Sequence, residues 1–316
     1  MRKNIWLDGM MGVVVGDALG CPVQFISREE IAARAKGPVT GMESGGAYRM
    51  PVGTWTDDSS MALAALDSIR KLGEVNLEDI MDNFVAWYED GRYTPFGQPF
   101  DMGNTCSNAI EDYERGKDVT SCGGTSEHSN GNGSLMRIMP ACLFVYEKNY
   151  PEPEAVKTVH EVSGLTHNHL RSKIACGLYY FCVNNIIDGK GSLKERLQSG
   201  LDEGFAWYGK DISNLTQLAY YARLRDLSDF AEIPESGIES TGYVVHSLEA
   251  AIWSLLQTDS FRDCLLTAVN LGDDADTVGA IAGGLAALYY GYESIPEEWL
   301  EAIQRREWVE GMCAEV

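Results

Sequence analysis

Val269-Asn270-Leu271-Gly272-Asp273-Asp274-Ala275-Asp276-Thr277 runs straight into the uncharged stretch Val278 to Gly291, and this passage decides the fold. Glycines 279, 283 and 284 and alanines 280, 282, 286 and 287 make a helix that neighbours can crowd from every side. A helix apolar all round is a core helix, so its N-terminus should lie deep in the protein. Three carboxylates within four positions then need partners, because an unpaired buried charge is very costly. Free N–H groups and the dipole at the helix start supply part of the compensation. Cations would supply the rest. The plain alternative, that Asp276 or Thr277 caps the helix, needs one residue and not three.

A second acidic pair lies far upstream, in Gly53-Thr54-Trp55-Thr56-Asp57-Asp58-Ser59-Ser60. It precedes a helical pattern over Met61 to Leu72, with Leu63, Leu66, Ile69 and Leu72 at three-residue steps. Thr56 or one of the aspartates reads as the N-cap. Two Thr/Asp clusters at two helix starts are what a site fed by several helices looks like. Oxygen ligands without His or Cys suit Mg²⁺ or Mn²⁺ better than zinc. With up to five carboxylates converging, one cation leaves negative charge unbalanced, so two are expected.

The formal net charge of −22 on 316 residues argues against a nucleic-acid binder, whose affinity rests on clustered Lys and Arg. It also requires any anionic ligand to be met locally by N–H groups, helix starts or metals. Eight cysteines form no C-x-x-C pair and read as reduced thiols of a cytoplasmic protein. Arg2 and Lys3 before Met10 to Val15 look superficially like a signal peptide, but Asp8 and Asp17 bracket the apolar run too closely. No membrane span is expected.

Ile5 to Leu19 reads as a helix carrying Gly16-Asp17-Ala18-Leu19-Gly20, with Asp17 either a satisfied core carboxylate or a group standing behind the site. Residues 37–53 read as a loop delivering the chain to Asp57. Asp101-Met102-Gly103-Asn104-Thr105 starts the next helix, and Asp101 taken alone reads as its cap. Asn130-Gly131-Asn132-Gly133-Ser134 precedes an apolar run expected to be helical from Leu135 to Tyr146. Glycines before a helix are either a turn or a phosphate cradle. His167 and His169 fit no zinc pattern and read as hydrogen-bonding groups. Residues 188–240 are the most polar and are expected to form a variable surface segment. Trp299 and Trp308 mark one last amphipathic helix. Strand-like alternation is almost absent, so one all-α domain over 1–316 is expected.

Gly16 to Gly20, Gly53 to Ser60, Asp101 to Thr105, Asn130 to Arg137, Thr166 to His169, Gly242 to Ala251 and Gly272 to Gly291 together resemble the ADP-ribosylglycohydrolase family, in family order. The resemblance implies an all-α bundle around a central cleft with two divalent cations, Mg²⁺ or Mn²⁺. Thr56, Asp57 and Asp58 match the first ligand group, and Asp274, Asp276 and Thr277 the second. Asp273 stands where the family often has Gly and is left out. Asp101, Gly103 and Asn104 match residues near the scissile ribose. Gly131, Asn132, Gly133 and Ser134 match the diphosphate loop, His167 a ribose or phosphate contact, and Tyr243 a residue facing the ligand. Asp17 and Gln24 complete the substrate set. Gln24 is a departure, since many members carry Glu there, and Gln cannot transfer a proton.

The activity this implies is metal-dependent hydrolysis of the bond joining ADP-ribose to arginine, in a protein or a small conjugate. Asp101, or a metal-shell aspartate such as Asp58 or Asp274, would handle the proton. The competing readings are a silent ADP-ribose-binding or structural protein, and a hydrolase of another ADP-ribosyl or nucleotide-sugar linkage.

Overall fold

The structure, a computed structural model, describes residues 4–314. Arg2 and Lys3 of the signal-like start lie outside that range. The chain runs through α1 (Ile5–Gly20), α2 (Arg28–Ala33), α3 (Asp57–Leu72), α4 (Leu77–Asp90), α5 (Asn104–Glu114), α6 (Met139–Glu147), α7 (Glu152–Gly164) and α8 (Leu170–Asp188). It continues through α9 (Leu193–Tyr208), α10 (Leu215–Leu218), α11 (Leu227–Ala231), α12 (Val244–Leu256), α13 (Phe261–Asn270), α14 (Ala275–Tyr290), α15 (Glu297–Ala302) and α16 (Arg306–Cys313). Among the described residues β pairing is confined to isolated bridges, so the expected all-α class holds.

The centre is the pair α1 and α14. Gly12, Gly16 and Gly20 recur every four residues and share one face of α1. They meet Gly279 and Gly283 on α14. A Cβ added at Gly16 would stand 2.0 Å from the Gly279 carbonyl oxygen, and one at Gly12 2.2 Å from that of Gly283. No side chain separates the two backbones. At the end of the seam a Cβ on Gly20 would meet the Cα of Asp276 at 2.4 Å. Glycine spacing thus brings Asp17 of α1 beside Asp276 of α14. By length and composition the stretch Ile5–Val23 is apolar enough to cross a membrane, yet 83% of that window is buried inside the fold.

Local sequence explains the other helix starts. Thr56 caps α3, with its hydroxyl accepting from Asp58 N, and Ser27 and Ser192 form capping boxes on α2 and α9. Two expectations change. The run from Leu135 is a turn, and the helix begins only at Met139, with Pro140 in its first turn. The last helix is two, α15 and α16, broken where Arg305 adopts φ 52°. The 188–240 region holds α9 packed on α8, then α10 continuing as a 3₁₀ turn through Arg225, and α11. Its outer side is open to solvent, with Ile212 83% exposed.

Candidate active site

Oxygens of Asp17, Asp58 and Asp276 converge within 4.8 Å of one another, all on buried residues. Their roles differ. Asp17 accepts from Thr56 N (2.9 Å), Ser59 N (3.0 Å) and the Ser59 hydroxyl (2.5 Å), so its oxygens are occupied holding the start of α3 onto α1. Thr56 donates its hydroxyl to Asp58 Oδ2 at 2.8 Å. The other oxygen of Asp58 and Oδ1 of Asp276 are buried with no hydrogen-bond partner. Burial first, and neighbouring carboxylates second, push the pKa values of Asp57, Asp58 and Asp276 well above the usual carboxylate range. Burial likewise lifts Asp17 to about 7 and Asp274 to about 6. Orphaned, mutually repelling carboxylate oxygens at two helix starts fit a hard divalent cation, which would supply the positive charge the fold withholds.

Asp58 and Asp276 of this cluster open into a cleft of about 360 Å³ that Asp57, Asp101, Asp274 and Thr277 also line, with no Lys or Arg in its walls. A larger groove, about 1170 Å³, lies at the other end of the α1–α14 pair near Trp6 and Tyr289, and Glu147 is the one carboxylate in its lining. The acid cluster, not the size, identifies the site.

Asp101 is not a helix cap. Gly103 holds the N-cap position of α5 without a side-chain bond. Asp101 instead sits in the left-handed region at φ 65°, a conformation a non-glycine residue holds only when its surroundings impose it. Its Oδ1 accepts from the Tyr48 hydroxyl at 2.9 Å, and burial raises its pKa while bonds from Tyr48 and Gln24 oppose the rise. Gly103 and Asn104 line the same cleft. Gln24 is buried beside Asp101 and does not line it.

The glycine loop needs a correction. Asn132 N donates to Gly242 O at 3.0 Å, so this N–H is not free for a diphosphate. The Asn132 side chain donates to Asp274 Oδ2 (2.5 Å) and the Ser247 hydroxyl (2.8 Å), which makes it an orienter of Asp274. Ser134 points away into the core, where its hydroxyl accepts from Ser163. Gly131 and Gly133 do line the cleft, with His167 packed against both. The buried Arg137 donates to Thr166 Oγ1 at 2.8 Å, and that hydroxyl meets His167 Nδ1 at 2.9 Å. With Thr166 Oγ1 accepting from Arg137 and donating its hydroxyl to Nδ1, His167 carries its hydrogen on Nε2, which faces the glycine loop. Burial, then the Arg137 charge, lowers the His167 pKa to about 3, so the ring is neutral at pH 7.

Tyr243 accepts from Arg171 Nη1 at 3.2 Å and stands outside the cleft lining. Thr56 and Asp17 also lie behind that lining, supporting Asp58 and α3 respectively. Asp273 is exposed at φ 54° and pairs through its backbone with Phe25 and Ile26. Sequence reasoning missed Phe25 and Tyr48 as cleft residues. A Tyr amid the glycines of the 37–53 loop was the available signal.

The sequence pattern of the ADP-ribosylglycohydrolase family matches residues 3–316. The chain is 30% identical over 310 residues to the ADP-ribosylarginine hydrolase Tri1 of Serratia proteamaculans, covering 97% of this chain and 77% of that one. It is 32% identical to the ADP-ribosyl-(dinitrogen reductase) glycohydrolase of Rhodospirillum rubrum, covering 95% and 90%. A solved structure described as an ADP-ribosylglycohydrolase-related protein complex superposes with a TM-score of 0.78 at 31% identity, over 99% of this chain and 97% of that one.

Proposed function

The chain belongs to the ADP-ribosylglycohydrolase family and is a hydrolase, and from that premise we propose that it cleaves the N-glycosidic bond between ADP-ribose and an arginine side chain, reversing mono-ADP-ribosylation. The observation that carries the reading is the pair of buried carboxylate oxygens, on Asp58 and Asp276, left without partners at the floor of a cleft. They call for cations, as a two-metal glycohydrolase does. Two relatives named for arginine-linked and protein-linked ADP-ribose support the substrate.

Asp57, Asp58, Asp274, Asp276 and Thr277 would hold two Mg²⁺ or Mn²⁺ ions, with Thr56 bracing Asp58. Such ions lower the pKa of a water and of the ribose hydroxyls they bind. The residues of the chain do the rest. Gly131, Gly133 and neutral His167 offer hydrogen-bond donors to the diphosphate or ribose. Asp101 receives the proton of the attacking water as its oxygen bonds the anomeric carbon. The bond to the guanidinium nitrogen breaks, its electron pair leaves with the nitrogen, and Asp101 returns the proton to the departing guanidine. A carboxyl whose pKa is raised by burial suits that exchange. Gln24 stays a hydrogen-bonding neighbour of Asp101. Eight buried cysteines without disulfides fit a reducing compartment, so cytoplasmic action is part of the proposal.

The test is release of ADP-ribose from ADP-ribosylarginine with Mg²⁺ or Mn²⁺, repeated with EDTA. Release that the chelator stops supports the reading. Absence of release with metal present overturns the arginine linkage, and release that survives EDTA overturns the metal dependence.

A further inference from the structure

Phe25 is 58% exposed and Tyr48 39% exposed, and both line the mouth of the acidic cleft. A large apolar side chain left in water is ordinary when scattered singly. Here three aromatic rings are joined: Phe25 to Tyr48 at 6.3 Å between centroids and Tyr48 to Phe100 at 5.2 Å, both edge to face. The backbone is held in unfavourable conformations to present them. Phe25 lies at φ 65° and Asp101, the residue after Phe100, also at φ 65°. Phe25 is fixed there by donating its N–H to Asp273 O at 2.6 Å, while Asp273 N donates back to Ile26 O at 2.8 Å. For a bulky residue a positive φ is a genuine outlier, and no burial of the Phe25 ring repays it. Strain of this kind gathers at ligand clamps.

We infer that Phe25, Tyr48 and Phe100 form the subsite for the leaving group, a platform that takes the planar cationic guanidinium of the target arginine between aromatic rings and the carboxylate of Asp101. The inference rests on the hydrolase reading above. If Asp101 exchanges the proton of the leaving nitrogen, that nitrogen lies beside Asp101. On the exposed side the Tyr48 hydroxyl donates to Asp101, and the rings touching Tyr48 are Phe25 and Phe100. Charge agrees, since the cleft lining offers carboxylates and no competing Lys or Arg. A guanidinium stacks on aromatic faces and pairs with carboxylates in the same plane. A serine-linked substrate would present neither charge nor plane to this rim. Tyr48 then has two separable parts: its ring belongs to the platform, and its hydroxyl positions Asp101.

The experiment uses the full chain with ADP-ribosylagmatine as substrate, agmatine as a competing guanidine and free ADP-ribose as a competing product. Phe25→Ala and Tyr48→Leu are expected to raise KM and the inhibition constant of agmatine by about tenfold each, with the inhibition constant of ADP-ribose unchanged. Tyr48→Phe keeps the platform and is expected to lower kcat by about tenfold with KM held. If the wild type turns over and Phe25→Ala and Tyr48→Leu keep their KM and agmatine sensitivity, the subsite is overturned while the hydrolase reading stands. An equal loss of ADP-ribose binding would also overturn it, by showing general collapse of the cleft. A wild type inactive on the arginine-type substrate would fell both.

Discussion

The α1–α14 seam and the outer segment from Ile212 to Ile238 are both helical, yet they hold their shape for opposite reasons. In the seam, glycine carbonyls stand where side chains would be, and the backbones touch along Gly12, Gly16, Gly279 and Gly283. In the outer segment, side chains carry the contacts: Tyr221 donates to Arg171 O, Arg223 pairs with the buried Glu249, and Arg28 reaches the carbonyl of Ile238. The seam admits no change in size, and it is the seam that sets Asp17 beside Asp276. The outer segment can vary because its polar links are replaceable and its far side is solvent. The acid cluster is braced on the part that cannot change size.

The largest effect is expected from Gly16→Val. Its Cβ alone would overlap the Gly279 carbonyl, so about 3 kcal/mol or more of stability should be lost, read as the urea midpoint. A folded variant of near-normal midpoint would break the comparison at its root. Next comes Asp276→Asn, which keeps the seam but removes a charge from the cluster. Hydrolysis should fall roughly a thousandfold, ~4 kcal/mol in the barrier, with far-UV circular dichroism unchanged. Wild-type turnover there would sink the site assignment.

A third prediction concerns pH. Asp17 and Asp274 keep their protons to about 7 and about 6 in the fold, against about 3.9 when unfolded. The folded state therefore binds more protons between those values, and the stability this gives is present below the unfolded pKa and lost as pH rises through 6 to 7. Metal-free protein should melt higher at pH 5 than at pH 8, and added Mg²⁺ or Mn²⁺ should raise the melting temperature more at pH 8. A melting temperature indifferent to both would mean the carboxylates are not held as described. The smallest effect is expected from Ile212→Ser in the outer segment, within about 0.5 kcal/mol. A larger loss would show that this surface is covered by something in solution.

The seam was half legible. A run of glycine and alanine without charge announces a crowded helix, and the position of α14 follows from it. That α1 is its partner was written in the spacing Gly12, Gly16, Gly20, but a spacing gives a face and not what it packs against. The acidic clusters were readable because three aspartates exceed what a cap needs. The division of labour among them was not. Asp17 sits in an apolar helix like a ligand, and only three-dimensional contact shows that Thr56 and Ser59 occupy it. Leu135 to Ile138 passed for helix because a buried turn can be as apolar as a buried helix, although Pro140 marked the first turn. The break at Arg305 carries no glycine or proline and left nothing to read. Tyr48 left only the faint signal of a tyrosine among glycines, and Phe25 left none, because its meaning lies in exposure and strain, which composition does not record.

The glycine seam also bears on ion choice. Gly20 presses its backbone against Asp276, and Asp17 on the same helix holds the start of α3 through Thr56 N and Ser59 N. Helix α1 therefore sets the spacing between Asp276 and Asp58 as a fixed gauge rather than a flexible hand. Ca²⁺ is served by adaptable shells at about 2.3–2.6 Å, whereas Mg²⁺ demands about 2.0–2.1 Å. Carboxylates of α14 and α3 braced against one shared helix have little room to spread for the wider ion, so discrimination by ionic radius would come from glycines that never meet the metal.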